Sequence, residues 1–193
     1  PPPPPPPPFF NDTATTEIYT ERNSSAASDV YKRQSTLRAN LALESALALA
    51  LSLSGIPGVT VAATAFPGLD GRERRVTRLL SHGAEVRAAA GDFAQHPRGG
   101  TPMAQALWFA AADLLGREET RRIAIVLTDG VPNNRPETLR LLALCGEAGI
   151  ETVGVGIQTD IGHLFPVSVE VTDVADLKQA LFGVAERLFI EAA

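Results

Sequence analysis

The chain has 193 residues, a composition that is 45% hydrophobic and 20% charged, and a formal net charge of −5. Its size fits one globular domain with a true core, and its acidic net charge gives no basic field for nucleic acid or for an anionic membrane surface. The single cysteine excludes an internal disulfide, and the absence of both a membrane-length apolar run and a recognisable signal peptide favours a cytoplasmic location.

The first 34 residues differ from the rest in composition. Eight prolines open the chain and favour a polyproline II rod, which is one form of ligand for a proline-binding domain. Two polar stretches follow, at residues 11–20 and 28–34, and both resemble translated sequencing-adapter read-through. We therefore interpret residues 1–34 as a low-complexity, artefactual segment and base the functional prediction on residues 35–193.

Helical and strand patterns alternate from residue 36 onward. Alanine and leucine at helical spacing predict the first helix, which Gly55 and Pro57 end. Thr101 suits the N-cap of a later helix and Pro102 its first turn. The predicted order is a helix at 36–53, strands at 59–66 and 76–81, a helix from Thr101 to about Leu115, a strand at 122–128, a helix at 136–147, strands at 150–157 and 167–171, and a last helix from Asp173 to about Phe189.

Three of these strands, at 59–66, 122–128 and 150–157, are apolar on nearly every residue. Strands of this kind that alternate with helices indicate a mostly parallel sheet with helices on both faces. The predicted fold class is therefore α/β, with a three-layer, Rossmann-like architecture. Ligands of such sheets bind beyond the carboxyl ends of the strands, so Asp129, directly after the second of these strands, lies at the edge where function is expected.

Two polar motifs are predicted to meet at that edge. The sequence Gly-Gly-Thr-Pro-Met at residues 99–103 supplies the hydroxyl of Thr101, and Leu-Thr-Asp-Gly at residues 127–130 supplies the carboxylate of Asp129. Both are hard oxygen donors that suit Mg²⁺ or Mn²⁺. Each residue also has an interpretation without metal, because Thr101 could be only a helix cap and Asp129 only part of an Asp-Gly turn.

The order of these elements, with the two motifs between them, resembles the von Willebrand factor A-type (VWA) family over residues 35–193. The resemblance implies a metal-ion-dependent adhesion site, in which a divalent cation is bound by three loops. One loop carries Asp-x-Ser-x-Ser after the first strand, the second a threonine, and the third an aspartate in a Thr-Asp-Gly turn. Thr101 matches the second loop and Asp129 the third.

The sequence departs from the family pattern at the first strand and its loop, which belong just before residue 36. Neither Asp12 nor Asp29 is followed by serines at the required spacing. We therefore expect a first strand that is missing or substituted, for which residues 14–20 have suitable β propensity. Since the missing loop supplies most of the ligands, we expect weak cation binding or none in this chain. The natural protein with an intact first loop, its parent, is expected to bind Mg²⁺ or Mn²⁺.

The resemblance implies a non-enzymatic protein-interaction module, in which the bound cation takes a carboxylate from a partner protein. The motifs are also similar to those of cobaltochelatase-like members, which implies an AAA+ ATPase as partner; no nucleic-acid or membrane partner is expected. An alternative is a Mg²⁺-dependent phosphotransfer or hydrolytic enzyme, although no paired carboxylate is recognisable near Asp129. A purely structural domain without metal is the third interpretation.

Several other residues have no predicted chemical role. Cys145 and Trp108 are expected to pack in the core, and the three histidines, His82, His96 and His163, are expected at the surface or in loops. Gly154-Val155-Gly156 lacks the third glycine and the following helix of a dinucleotide-binding loop.

Overall fold

The computed structural model describes residues 14–21, 29–67, 76–94 and 100–172, together with residues 179 and 183. These ranges contain six strands, three α-helices and a short 3-10 helix at Ala90–Ala94. The elements in chain order are β1 (Ala14–Glu21), α1 (Asp29–Ser54), β2 (Val59–Phe66), β3 (Thr77–Leu80), α2 (Met103–Leu115), β4 (Arg121–Thr128), α3 (Arg135–Glu147), β5 (Ile150–Ile157) and β6 (Val167–Val171).

The strands form one sheet with the order β3-β2-β1-β4-β5-β6. Every neighbouring pair is parallel except β2 and β3, which are antiparallel. The predicted α/β class with a mostly parallel sheet is thus confirmed. Strand β1 lies between β2 and β4, in the central position where the first strand was expected to be missing or substituted.

Helices cover both faces of the sheet. On one face, α1 packs its buried alanines and leucines against alternate residues of the strands, including Ile123 and Ile125 of β4. On the opposite face, α2 and α3 pack against residues such as Phe66 and Val126. This alternation along β4 is the two-residue period of a strand buried on both sides, and it explains why the strand is apolar throughout.

The helix bounds differ from prediction at two places. Helix α1 begins at Asp29 rather than at residue 36, so it extends back into the segment that was interpreted as artefactual. Helix α2 begins at Met103, with Pro102 in the N-cap position, so the prediction of Thr101 as N-cap is wrong. The strands and α3 lie within a residue or two of their predicted bounds. The predicted last helix lies outside the described residues, apart from the helical residues 179 and 183.

Gly154 and Gly156 lie in β5 and allow the loop that follows the strand to pack directly on it. A Cβ atom at Gly154 would lie 2.5 Å from Cδ2 of Phe165 and 2.6 Å from Cδ1 of Ile161. These glycines therefore serve close packing of loop on strand. No helix among the described residues is long and apolar enough to cross a membrane.

Candidate metal centre

The carboxyl ends of β1 and β4 lie side by side at the point where the sheet changes its direction of winding. The chain passes from β1 to β2 on one side, whereas β4 leads to β5 on the other. In open α/β sheets this switch point leaves a crevice at the carboxyl ends of the two strands, and ligands bind there. Glu21 ends β1 and Asp129 directly follows β4, so both residues belong to this edge of the sheet.

Asp129 is presented by a turn that the preceding threonine stabilises. The Thr128 hydroxyl donates a hydrogen bond to the Gly130 carbonyl oxygen (2.9 Å) and accepts one from the Gly130 N–H (3.2 Å). Both bonds span two residues, so they fix the backbone on either side of Asp129. Asp129 itself is only 6% exposed, so it is a buried acidic residue at the switch point.

Thr101 lies just before α2 and is 1% exposed. Helix α2 receives no side-chain cap hydrogen bond, and the Thr101 hydroxyl has no hydrogen-bond partner among the residues that the structure describes. Leaving a buried hydroxyl unsatisfied costs about 1–3 kcal/mol. The interpretation of Thr101 as a simple helix cap is therefore excluded, and its oxygen is the kind of atom that a cation would satisfy.

Two hydrogen bonds bring Thr101 and the Asp129 loop together. The Thr101 N–H donates to Oδ1 of Asn133 (2.8 Å), and the Asn133 N–H donates to the Thr101 carbonyl oxygen (3.0 Å). Since Asn133 lies four residues after Asp129, the loop before α2 and the loop after β4 meet at the same edge of the sheet. No sequence pattern indicates this role, because an exposed loop asparagine has neither periodicity nor a recognised motif.

The available donors limit which cation could bind. Within the described ranges no group of three or more His, Cys, Asp and Glu side chains could hold a metal ion. A cation bound by Thr101 and Asp129 would therefore depend on hydroxyl, carboxylate and water oxygens, which suit Mg²⁺ or Mn²⁺ better than a soft metal. The unsatisfied Thr101 hydroxyl fits this donor set.

A third group of oxygen-bearing residues begins at the last residue of β1 and continues after it in the sequence. Glu21, Asn23 and Ser25 have the spacing of an Asp-x-Ser-x-Ser loop, although with different residues at the first two positions. Glu21 follows the Thr20–Leu127 pair of the β1–β4 ladder, which puts its backbone level with the end of β4. Residues 22–28 lie outside the described residues. The Asp-x-Ser-x-Ser pattern does not reveal this group, because Glu and Asn occupy its first two positions.

The remaining residues singled out in the sequence lie away from this edge or have other surroundings. Cys145 is buried in the core as predicted, and burial raises the pKa of its thiol. Trp108, expected in the core, is 65% exposed, because α2 turns a different face to the sheet. His82 lies in the loop after β3, as expected, although its side chain is largely buried with Nε2 3.3 Å from Oδ2 of Asp113. His96 lies outside the described residues, and His163 is exposed.

Comparisons with known proteins identify the fold. No family model matches the sequence, and no curated protein matches it. Among solved structures, the pilus adhesin SpaC from Lactobacillus rhamnosus GG superposes with a TM-score of 0.68 at 14% identity, covering 93% of this chain and 31% of the adhesin. Proximal thread matrix protein 1 from the mussel byssus, with a zinc-occupied MIDAS motif, gives a TM-score of 0.67 at 17% identity, covering 92% of this chain and 46% of that protein.

The vWF domain of the type V pili tip protein Mfa5 from Porphyromonas gingivalis matches over nearly its whole length. The TM-score is 0.65 at 11% identity, with 93% of this chain and 96% of the Mfa5 domain covered. The present chain thus spans less than half of the adhesin and of the byssus protein but almost all of an isolated vWF domain. The chain has the von Willebrand factor A-type fold.

Proposed function

We propose that this chain is a non-enzymatic protein-interaction module that uses a divalent cation, Mg²⁺ or Mn²⁺, at the carboxyl ends of β1 and β4. In this proposal Thr101 and Asp129 bind the cation, and a partner protein adds a carboxylate. The observation that carries the proposal is the buried Thr101 hydroxyl, which has no hydrogen-bond partner among the described residues. The backbone of Thr101 is hydrogen-bonded to Asn133, which lies in the loop that also contains Asp129. The zinc-occupied MIDAS of the byssus protein supports the same interpretation by analogy of fold.

An exposed apolar residue near the site supports contact with another protein. Val131 is 60% exposed and lies two residues after Asp129, in the same loop. A large apolar side chain beside a cation site would offer a partner protein an apolar, water-excluding contact next to the charged one. Apolar contacts are typical of the buried centre of an interface. This arrangement favours a protein ligand over a small anion.

We propose that the cation affinity of this chain is weak, because the sequence after β1 reads Glu21-x-Asn23-x-Ser25 where the family pattern has Asp-x-Ser-x-Ser. Two substitutions, Glu21→Asp and Asn23→Ser, restore the family pattern at all three positions. We expect the double variant E21D/N23S to bind Mn²⁺ at least roughly 10–100-fold more tightly than the unmodified chain. This is the range of affinity lost when a residue that supports a metal ligand is removed. Calorimetric titration of both proteins with MnCl₂ measures this difference.

The control for this titration is Asp129→Asn in the E21D/N23S background. Removing the carboxylate charge while keeping the side-chain shape should abolish the gain in Mn²⁺ affinity. If E21D/N23S binds Mn²⁺ no better than the unmodified chain, or if D129N leaves the gain unchanged, the cation is not bound at this edge and the proposed function is wrong.

The competing function is a Mg²⁺-dependent phosphotransfer or hydrolytic enzyme on the same sheet. Such an enzyme would hold its Mg²⁺ through several side chains near Asp129, and within the described residues no group of three or more His, Cys, Asp and Glu side chains could hold a metal ion. Assay of E21D/N23S with Mn²⁺ and a chromogenic phosphate ester separates the two functions. Binding without turnover is the expected result, whereas metal-dependent turnover would favour the enzyme.

We further propose that residues 1–34 are foreign to the natural protein and that β1 is a surrogate strand. Its sequence, Ala-Thr-Thr-Glu-Ile-Tyr-Thr-Glu, carries two glutamates, whereas β2, the strand beside it, carries none. Strands in the middle of a parallel sheet are normally apolar on both faces. The natural parent would accordingly have an apolar first strand followed by its own Asp-x-Ser-x-Ser loop.

For the partner, we propose an AAA+ ATPase in the cytoplasm, as in cobaltochelatase-like complexes. The support is the similarity of the Gly-Gly-Thr-Pro-Met and Leu-Thr-Asp-Gly motifs to those of such proteins, together with the single cysteine, which suits a reducing compartment. A gene for an AAA+ ATPase adjacent to the parent gene is the expected observation. A neighbourhood that encodes pilus or cell-surface components would instead favour an adhesin.

A further inference from the structure

Asn133 is joined to Thr101 by two hydrogen bonds that run in opposite directions. Its side-chain Oδ1 accepts from the Thr101 N–H (2.8 Å), and its own N–H donates to the Thr101 carbonyl oxygen (3.0 Å). Thr101 is thus held by Asn133 at both its N–H and its C=O, so its two peptide planes cannot rotate freely. The orientation of the Thr101 side chain is therefore coupled to the position of Asn133.

Gly100 provides the space that this contact needs. A Cβ atom at position 100 would lie 2.7 Å from Nδ2 and 2.9 Å from Oδ1 of Asn133, closer than the 3.0 Å that real Cβ atoms respect. The amide of Asn133 thus occupies the volume that any other residue at position 100 would fill. This explains the glycine before Thr101 by packing, independently of the metal.

The loop that carries Asn133 is fixed on both sides. At one end, the Thr128 hydroxyl holds the turn around Asp129 through its bonds to Gly130. At the other end, Asn134 caps α3, with its Oδ1 accepting from the Glu137 N–H (3.1 Å). Because Asn133 lies between these two fixed points, its contact with Thr101 sets the position of the Thr101 loop relative to Asp129.

No bond from the Thr101 side chain could replace this contact. Helix α2 receives no side-chain cap bond, and the Thr101 hydroxyl has no partner among the described residues. From these observations we infer that Asn133 is a positioning residue, which holds Thr101 against the Asp129 loop so that the hydroxyl and the carboxylate can face one cation. The inference rests on the proposed function for the cation, but the contact itself can be tested without metal.

The test compares Asn133→Ala with Asn134→Ala in the E21D/N23S background, using two measurements. The first is the dissociation constant for Mn²⁺ by calorimetry, and the second is hydrogen exchange of the Thr101 amide without metal. N133A should weaken Mn²⁺ binding by roughly 10–100-fold, the range known for residues that orient metal ligands, and should speed exchange of the Thr101 amide. N134A, which removes only the cap of α3, should change neither.

A conservative variant separates positioning from a general structural effect. Asn133→Asp keeps the oxygen that accepts from the Thr101 N–H, so it should retain both the Mn²⁺ affinity and the protection of that amide. Asn133→Leu keeps the bulk but not the acceptor and should behave like N133A. Unchanged exchange of the Thr101 amide in N133A, or equal Mn²⁺ affinity in N133A and its parent, would overturn the inference.

The two proposals fail in different ways. If E21D/N23S binds no Mn²⁺, the proposed cation function is wrong, and the exchange rate of the Thr101 amide still decides whether Asn133 holds this loop. If E21D/N23S binds Mn²⁺ and N133A binds it equally well, the cation function stands and the role of Asn133 is refuted.

Discussion

Two buried threonines near the same edge of the sheet differ in what their hydroxyls do. The Thr128 hydroxyl makes two hydrogen bonds with Gly130, whereas the Thr101 hydroxyl has none from the described residues. A buried hydroxyl without a partner lowers stability, and proteins retain such groups where a ligand uses them. This contrast is the residue-level basis of the proposed cation site at Thr101.

Replacing each threonine by valine tests this contrast. In the absence of divalent cations, Thr101→Val should leave the free energy of unfolding unchanged or raise it by up to about 1–3 kcal/mol, because the valine methyl needs no hydrogen-bond partner. Thr128→Val should lower it by about 1–2 kcal/mol, because two bonds are lost and Gly130 is left unsatisfied. Urea unfolding measures both. A loss in T101V as large as that in T128V would mean that the hydroxyl is satisfied within the protein.

The same residues show how much of the site could be predicted from the sequence. Thr101 and Asp129 carry recognisable motifs at the ends of periodic segments, and the sequence alone predicted that they share one edge. Asn133 could not be found in this way, because its role depends on a contact between two loops separated by 32 residues. The role of Thr101 as a cap was mispredicted, since cap preference is local and the loop contact with Asn133 overrides it.

At the scale of elements, the buried strands were predictable and the ends of helices less so. Strands β2, β4 and β5 are apolar throughout because helices cover both faces, so their bounds follow from composition. The edge strand β3 was also predicted within a residue, but its contacts with α2 were not. Arg78 donates to Oδ2 of Asp113 on α2 (2.6 Å), and its guanidinium lies 5.0 Å from the centroid of the Phe109 ring. Short sequence windows carry no trace of such a pair.

Two glycines in different elements give a matched test of packing. Gly154→Ala in β5 should lower the free energy of unfolding by about 1–3 kcal/mol, because the new methyl group meets the rings and branches of Phe165 and Ile161. Gly146→Ala in α3 meets nothing within 4 Å and should raise it by about 0.5–1 kcal/mol through helix propensity. Thermal and urea unfolding report both changes. Equal effects of the two substitutions would show that the loop after β5 does not pack on Gly154.

At the scale of the whole molecule, the fold depends on a strand that the functional interpretation treats as foreign. Strand β1 pairs along seven residues or more with both β2 and β4, and these are two of the longest ladders in the described sheet. Without β1, both neighbours would become unpaired edges in the middle of the protein. The sequence predicted that this position would be missing or substituted, but only the sheet shows how completely residues 14–21 fill it.

Removal of residues 1–34 tests this dependence. The chain 35–193 should fail to form a monomeric fold and should aggregate, because the sheet loses a central strand together with the ladders on both of its sides. A matched chain that lacks only the eight prolines keeps β1 and should stay folded. Circular dichroism and size-exclusion chromatography distinguish the outcomes. A folded, monomeric 35–193 chain would mean that β1 contributes nothing to the sheet.

The central claim is that Thr101 and Asp129 bind one cation where β1 and β4 end. Anomalous scattering from a crystal of the E21D/N23S variant grown with Mn²⁺ locates the metal directly. The account predicts a single strong anomalous peak within direct bonding distance of the Thr101 Oγ1 atom and an Asp129 carboxylate oxygen, or joined to one of them by a single water. A peak elsewhere on the protein, with none between these two side chains, would contradict it.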